Sequence, residues 1–527
     1  MKKYIELTTL WVLFGAIFSV VAEASGQDFG EGSYEVGTAM PPEGLGRELV
    51  DFTLQQAIDR ALESNLNIQT ARLSPRMQAF SLQVARAAFT PTLGSTFGYN
   101  NSTNQSTSQL DGGARTSTDR QTFNTSLSQS VPWYGGRLSA DFNNSRISTD
   151  NSFATLNPSY RSTMALNYTQ PLLAGLKIDP QRSALETEAI QGQITEIQLS
   201  SSIGNIVEQV RAAYWLLRGT LEQIEIQRLS LGQAGLLLAD NQVRVQLGTM
   251  PQIQVVQAEA QVANAEQALL NAEVQWRNQE LILKSLLING ADDPLLYQTI
   301  NPLDLPTFQE QEVDIEAAIR VALEERTDVR QLRQERNIAE IDLDMTRDSR
   351  LPDLNLTASY SLLGVGGTEF SRAGLGGAPQ LLREGSYLDG LNSITGFDTP
   401  TWNVSMSFSY PIGMRSARAN SQRAELQMEQ RDLAIRGQEL AIVTQVTNAG
   451  LNVTDTRLQL DAAARSRALA EESAAAAVTR FNAGVATNFE VVTEQNALTS
   501  ARLSELNAII RHINAIAEFE RVQRVGN

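Results

Sequence analysis

Cysteine is absent from the 527 residues, and histidine occurs once, as His512. The first absence excludes a disulfide framework, a thiol nucleophile and a lipid-modified cysteine at a processed N-terminus. Together the two exclude a Cys/His pair, a zinc site and any His-containing metal cluster within one chain. Paired carboxylates on a plausible cleft are missing as well. No catalytic, cofactor-binding or metal-ligating residue is therefore expected, and the chain does not read as an enzyme. Positive charge is also short: 42 Lys and Arg against 59 Asp and Glu give a net charge of −17. That balance argues against nucleic acid as a partner. Apolar runs of the roughly 20 residues needed for a membrane helix are missing throughout.

Proline is missing from two long stretches. After Pro180 itself none occurs through Leu247, and none in Arg415–Ala483. As single helices, stretches of about 68 residues would each span roughly 100 Å. Within the first, Ile206, Val210, Ala213, Leu217, Leu221 and Ile224 recur at three- and four-residue spacing, an amphipathic stripe. In the second, Ala462–Ala464, Ala468, Ala470 and Ala474–Ala477 suit close helix packing. Shorter helices are predicted over 252–289 and 488–523, and over 53–89 and 314–350, with a bend at Pro75. Tyr214 and Trp215 read as packing anchors within the first long helix.

The chain is written twice. Phe52–Leu93 aligns without a gap on Val313–Leu354, matching Ala57-Ile58, Ala61-Leu62-Glu63, Arg86 and Pro91 to Ala318-Ile319, Ala322-Leu323-Glu324, Arg347 and Pro352. Gly248 through Val256 likewise aligns on Gly484 through Val492. The two repeats run over 51–300 and 301–527. Before them, Lys2 and Lys3, the apolar run Leu10–Val21 and Ala22-Glu23-Ala24 read as a signal peptide over 1–24, and hence an exported protein. Residues 25–50 form an extension without an assigned role.

Between the helices the period changes to two. Leu354, Leu356, Ala358 and Tyr360 alternate with Asn355, Thr357 and Ser359, and Trp402, Val404, Met406 and Phe408 alternate with Asn403, Ser405 and Ser407. One apolar and one polar face is the pattern of strands lining a wet lumen with lipid outside. Strands are expected over about 92–170 and 353–410, four in the first copy and two in the second, with 9–11 residues per strand. Two per copy, with the extra hairpin outside the wall, is the alternative. Asn101–Arg120, Ile147–Ser159 and Gly364–Pro400 would be long outer loops, and Val131–Gly136 a short turn on the helix side. Four or six strands cannot close a barrel alone, so a symmetric oligomer follows.

Phe52-Thr-Leu-Gln-Gln-Ala57, Ala85-Arg-Ala-Ala-Phe-Thr-Pro91, Gln170-Pro171-Leu172, Tyr214, Leu247-Gly248, Tyr410-Pro411-Ile412 and Ala483-Gly484 resemble, in that order, the TolC family of outer-membrane efflux and secretion channels. The resemblance implies an α+β membrane protein: a long α-helical barrel and a transmembrane β-barrel, each completed by trimerisation. It implies a homotrimer in outer-membrane lipid with a periplasmic extension. It also implies a periplasmic adaptor and an inner-membrane transporter of RND, ABC or MFS type as partners. The function would be passive, gated exit of solutes in a tripartite efflux pump or type I secretion system. A non-conducting periplasmic coiled-coil scaffold or adhesin is the rival reading. A trimer barrel of twelve strands or of eighteen remains open.

By the same resemblance Leu247, Gly248, Thr249, Ala483, Gly484 and Val485 would contact the adaptor, although a glycine there also caps a helix. Glu490, with Glu494 nearby, would ring the periplasmic aperture. Thr487 and Glu490 equally fit a capping box. His512 reads as a surface residue near the end of the last helix.

Overall fold

The computed structural model describes residues 39–42, 47–107, 113–305, 313–374 and 377–523. The expected signal peptide and most of the extension fall outside these residues.

Two rods dominate. Helix α3 runs over Pro180–Gln246 and α8 over Arg415–Asn482. Pro180 opens α3 at its first turn, where its missing N–H costs nothing, and Asp179 caps Gln181 and Arg182. Each rod turns into a shorter partner, α4 (Ile253–Leu287) or α9 (Asn488–Gln523). Among the described residues no helix is long and apolar enough to cross a membrane.

The leading segments are each two helices. Helices α1 (Leu54–Ser64) and α2 (Leu66–Ala87) break at Asn65, and α5 (Ile315–Glu325) and α6 (Thr327–Asp348) break at Arg326. The expected bend at Pro75 is thus misplaced, because α2 continues through it. Asn65 breaks the helix by adopting an extended backbone (ψ 123°) and capping Asn67 and Ile68 through its side chain. Helix α3 packs on α2 and α4 to one side and on α6 and α9 to the other, and α8 packs on α6 and α9. The result is a slab four rods wide, with a stacked short pair at one edge and α8 at the other.

The core sits at the level of the Asn65 break. Ile68, Val210, Tyr214, Leu217, Leu221, Trp276 and Leu283 are fully buried there. The end of the extension enters it as strand β1 (Leu49–Phe52), paired in parallel with β6 (Thr299–Pro302). The Tyr214 hydroxyl lies 2.9 Å from the Phe52 carbonyl and 3.0 Å from the Asp304 carboxylate, and accepts the Asp304 N–H. Tyr214 is therefore a polar tie as well as a packing anchor. Burial pushes its pKa up, so it stays a donor. Two buried ion pairs, Arg218–Glu222 at 2.7 Å and Lys284–Glu280 at 2.9 Å, lie beside it. Arg218 also donates to the carbonyls of Pro302 and Ala39, and Glu280 accepts the Ile300 N–H, fastening β6 and the extension to the rods.

The strands form one antiparallel sheet in the order β2 (Thr92–Gln105), β3 (Arg115–Ser130), β4 (Arg137–Thr149), β5 (Leu156–Pro171), β7 (Asp353–Ser371), β9 (Pro400–Ser409). A short strand, β8 (Gln380–Arg383), joins the far end of β7. Hairpin β3–β4 lies within the sheet, paired along its length to β2 and β5, so the alternative that set it outside is incorrect. Strands reach 16 residues in β3 and 19 in β7, well beyond the expected length, and take up much of the expected outer loops. There polar residues such as Ser117, Thr118, Asp119 and Arg120 occupy both faces, so the ladder continues where hydropathy no longer alternates.

The remaining outer segment holds a helix, α7 (Tyr387–Thr395), which was not expected. It packs on β7 where a Cβ on Gly364 would stand 1.9 Å from the Gly390 carbonyl oxygen. Tyr387 donates to Asn144 at 2.9 Å and meets the Tyr160 ring edge-on.

His512 departs from expectation. It is buried against α8, with Nδ1 3.1 Å from the Thr456 hydroxyl. Burial first, then the Arg457 charge, lowers its pKa, against the opposing charge of Asp461. An unfolded histidine titrates near about pH 6.5, so below that the unfolded chain binds the extra proton and stability falls. Urea midpoints at pH 7.5 and 5.5 should therefore drop less in His512→Gln than in the parent. Removing the Tyr214 hydroxyl in Tyr214→Phe leaves buried acceptors unmet and should cost about 1–3 kcal/mol, read from the same unfolding curves.

Candidate functional site: the wall edges and the hairpin tips

Alternation sorts the sheet into two faces. Register puts Phe97, Phe123, Phe142, Met164, Leu362 and Phe408 on one, and Thr96, Asn124, Asn143, Asn167, Ser359 and Ser405 on the other. The apolar face lies bare in the single chain: Phe97 is 76% exposed and Trp402 75%. A face of this extent is an interaction surface, and its alternation with Ser, Thr and Asn fits lipid outside and water inside. Trp402 and Tyr360 stand side by side across β7 and β9, as interfacial aromatics do.

The edges of the molecule are also unsatisfied. Strand β9 and helix α8 share one, and β2 and α2 share the other. Along α8, Leu426, Leu433 and Leu440 are exposed at seven-residue spacing, as are Leu451 and Leu458 further down. Along α2, Leu66, Leu73, Met77, Phe80 and Val84 are exposed at coiled-coil spacing. These stripes were readable from heptad spacing, yet the sequence reading used only the buried stripe of α3.

At the far end of the rods the two turns are built alike. Gly248 and Gly484 take φ of 73° and 74°. Each turn closes with two backbone bonds, Gly248 N to Val245 O and Thr249 N to Arg244 O, repeated as Gly484 N to Phe481 O and Val485 N to Arg480 O. This double bonding is the Schellman cap, which needs the left-handed residue that glycine supplies. The Thr249 hydroxyl adds a third bond to Arg244 O. The turns are tied together: Arg244 stacks 4.5 Å over the Phe481 ring and donates to Asn482, while Leu237, Phe481 and Val491 make a small core. Leu247, Val485 and Phe489 project outward, with Phe489 76% exposed, and Ala483 ends the helix beside them.

The aperture acids have partners of their own. Glu490 meets Arg480 at 2.7 Å, and Glu494 accepts from the Ser473 hydroxyl at 2.7 Å. Thr487 accepts the Glu490 N–H, so half of the capping box is present while the carboxylate turns to Arg480. Glu490 is thus charge-compensated within its own hairpin.

The family model for outer membrane efflux proteins matches residues 137–287 and 318–515, more than half of the chain. The chain belongs to that family, whose place is the outer membrane, with the helical body on the periplasmic side. Among solved structures, the CmeC outer membrane channel of Campylobacter jejuni is similar, with a TM-score of 0.64 at 14% identity, covering 90% of this chain and 86% of that one. The outer membrane protein VceC of Vibrio cholerae gives 0.61 at 14%, covering 89% and 95%. The open-state MtrE channel of Neisseria gonorrhoeae gives 0.58 at 18%, covering 89% and 88%. No curated protein matches the chain in sequence.

The leucine stripe makes a direct prediction. Leu433→Asn with Leu440→Asn removes two apolar side chains from the α8 edge, each worth about 1.5–3 kcal/mol when covered. Light scattering in detergent should show the assembly shifted toward single chains, with helical circular dichroism unchanged.

Proposed function

We propose that three copies assemble into a passive exit duct that carries solutes from an inner-membrane transporter across the periplasm and outer membrane. The observation that carries this reading is the continuity of each unsatisfied edge. Among the described residues, the side of the molecule that leaves the outer edge of β9 unpaired leaves the α8 leucines bare, and the opposite side does so with the outer edge of β2 and with α2. Joining one edge to the other in a ring covers both stripes and both strand edges at once, which is head-to-tail closure. The polar sheet face then lines the pore, and the rods wall a shaft below it. A non-conducting scaffold has no use for strands with one apolar and one polar face.

The hairpin tips are the docking surface for a periplasmic adaptor. Leu247 and Val485 flank rigid glycine caps, so the partner meets a preformed apolar point, with Gly248, Thr249, Ala483 and Gly484 small enough to admit it. Energy comes from the inner-membrane transporter, since a duct of this kind performs no chemistry. Opening separates the two tips at the Arg244 contacts with the Phe481 ring and Asn482. A cation–ring contact at an exposed site contributes only about 0.5–1 kcal/mol, weak enough for adaptor contacts to overcome.

Planar-bilayer recording tests the reading. Arg480→Ala leaves three uncompensated carboxylates round the aperture, so closed-state leak and cation preference should rise, while Glu490→Gln should lower cation preference. A purified trimer that passes no current in either variant would argue against a duct.

A further inference from the structure

Resting on the trimeric reading above, we infer that β9 of each copy pairs with β2 of the next, closing a membrane wall of eighteen strands. Each copy contributes six long strands in one unbroken antiparallel ladder. The repeat explains their origin. Helix α2 leads into β2 as α6 leads into β7, and β5 ends at Pro171 as β9 ends before Pro411. Strands β2 and β5 of the first copy therefore match β7 and β9 of the second, and hairpin β3–β4 is extra. It is built into the wall. Strand β3 pairs with β2 from Thr92↔Ser128 to Gln105↔Arg115, and β4 pairs with β5 from Arg137↔Thr169 to Ile147↔Ser159. Its turn packs on the base of the wall, where a Cβ on Gly135 would fall 2.4 Å from the Gly175 carbonyl oxygen.

The two free edges fit each other. Strand β2 leaves the helices at Thr92 and β9 returns to them at Ser409, so adjacent copies present them antiparallel and level. Their apolar faces agree, with Leu93 and Phe97 on β2 and Val404, Met406 and Phe408 on β9. The joint continues below into the bare stripes of α2 and α8. A second copy is the occupant, because hydrocarbon leaves an unpaired strand edge nothing else to bond with, and six strands are too few to close on themselves.

The wall this makes is wide. Strands about 4.8 Å apart and tilted about 40° give a ring roughly 36 Å across for eighteen strands and roughly 24 Å for twelve. A ring of twelve helices spaced about 9–10 Å is also roughly 36 Å across. The shaft would therefore enter the membrane without narrowing.

The absence of native cysteine makes cross-linking clean. Thr96→Cys on the lumen face of β2 is combined in turn with Asn403→Cys, Ser405→Cys and Ser407→Cys on the lumen face of β9, in the full chain in native envelopes. One combination should convert most of the protein to disulfide-linked dimers and trimers on non-reducing gels, while single-cysteine variants run as monomers. Ser126→Cys with Asp141→Cys, opposite each other on β3 and β4, should close a bond within one chain. Copy-to-copy bonds from Asn143→Cys on β4 to β9, or a bond from Thr96→Cys to Ala165→Cys on β5, would place the extra hairpin outside the wall and overturn the proposal. Light scattering separates the two failures. A trimer lacking the Thr96 bond sinks the eighteen-strand wall alone, whereas a single chain in detergent sinks the trimeric duct with it.

Discussion

An unpaired strand edge in hydrocarbon exposes a row of N–H and C=O groups, each costing several kcal/mol when nothing bonds it. Most of what is unusual in this chain follows from that constraint. Six strands cannot bend round to meet each other, so in the proposed duct the edges β2 and β9 find partners in other copies. Once the strands are committed to a ring, the helices beneath inherit the same symmetry, because α2 leads directly into β2 and α8 follows directly from β9. The leucines on α8 and the apolar residues on α2 are then the helical half of a joint whose upper half is backbone hydrogen bonding.

Duplication solves the mechanical problem of building a long shaft from short cores. Each repeat supplies one unbroken rod and one stack of shorter helices, and α3 lies between the two stacks. The two repeats are not equivalent, however. The first holds the large core, with Trp276 and Tyr214 fully buried and β1 and β6 laid across it, while the second has a smaller cluster around Ile442 and Val446. The buried pairs Arg218–Glu222 and Lys284–Glu280 belong to the first as well. Such pairs contribute little net stability, but removing one partner strands a buried charge, so they hold the extension and β6 in one arrangement.

The fold class was legible because it depends on periodicity and on what is missing. Proline-free stretches marked the rods, period-two alternation marked the strands, and the repeat of Pro91 as Pro352 set the two halves in register. What escaped was whatever depends on contacts between distant segments. The helix breaks sit at Asn65 and Arg326, whose extended backbones no local pattern announces, while Pro75 drew attention and did nothing comparable. The strands outran their apolar alternation, since beyond Phe142 and Met164 the outward positions are Asn144 and Ser162, covered by α7 through Tyr387. His512 looked like a surface residue because it lies near the end of the last helix, and only the packing of α8 on α9 buries it. Glu490 was visible as an acid at the right spacing, but Arg480, which compensates it, lies across the turn.

The distribution of strength along the molecule bears on how such a duct opens. At the core level, Lys284 donates to the Gln298 carbonyl, and Arg218 and Glu280 are each bonded within low-dielectric surroundings, where separation is expensive. Between the two tips the ties are the Arg244 cation over the Phe481 ring, its bond to Asn482 and a three-residue apolar cluster. Exposed polar contacts of that kind contribute at most about 1 kcal/mol each, which a modest contact surface on a partner can match. The strand ring cannot yield without breaking ladders, and the core cannot yield without exposing charge. In the proposed duct, motion is therefore confined to the last turns of α3 and α8 and the first turns of α4 and α9, where rigid glycine caps move as units and weak ties between them give way.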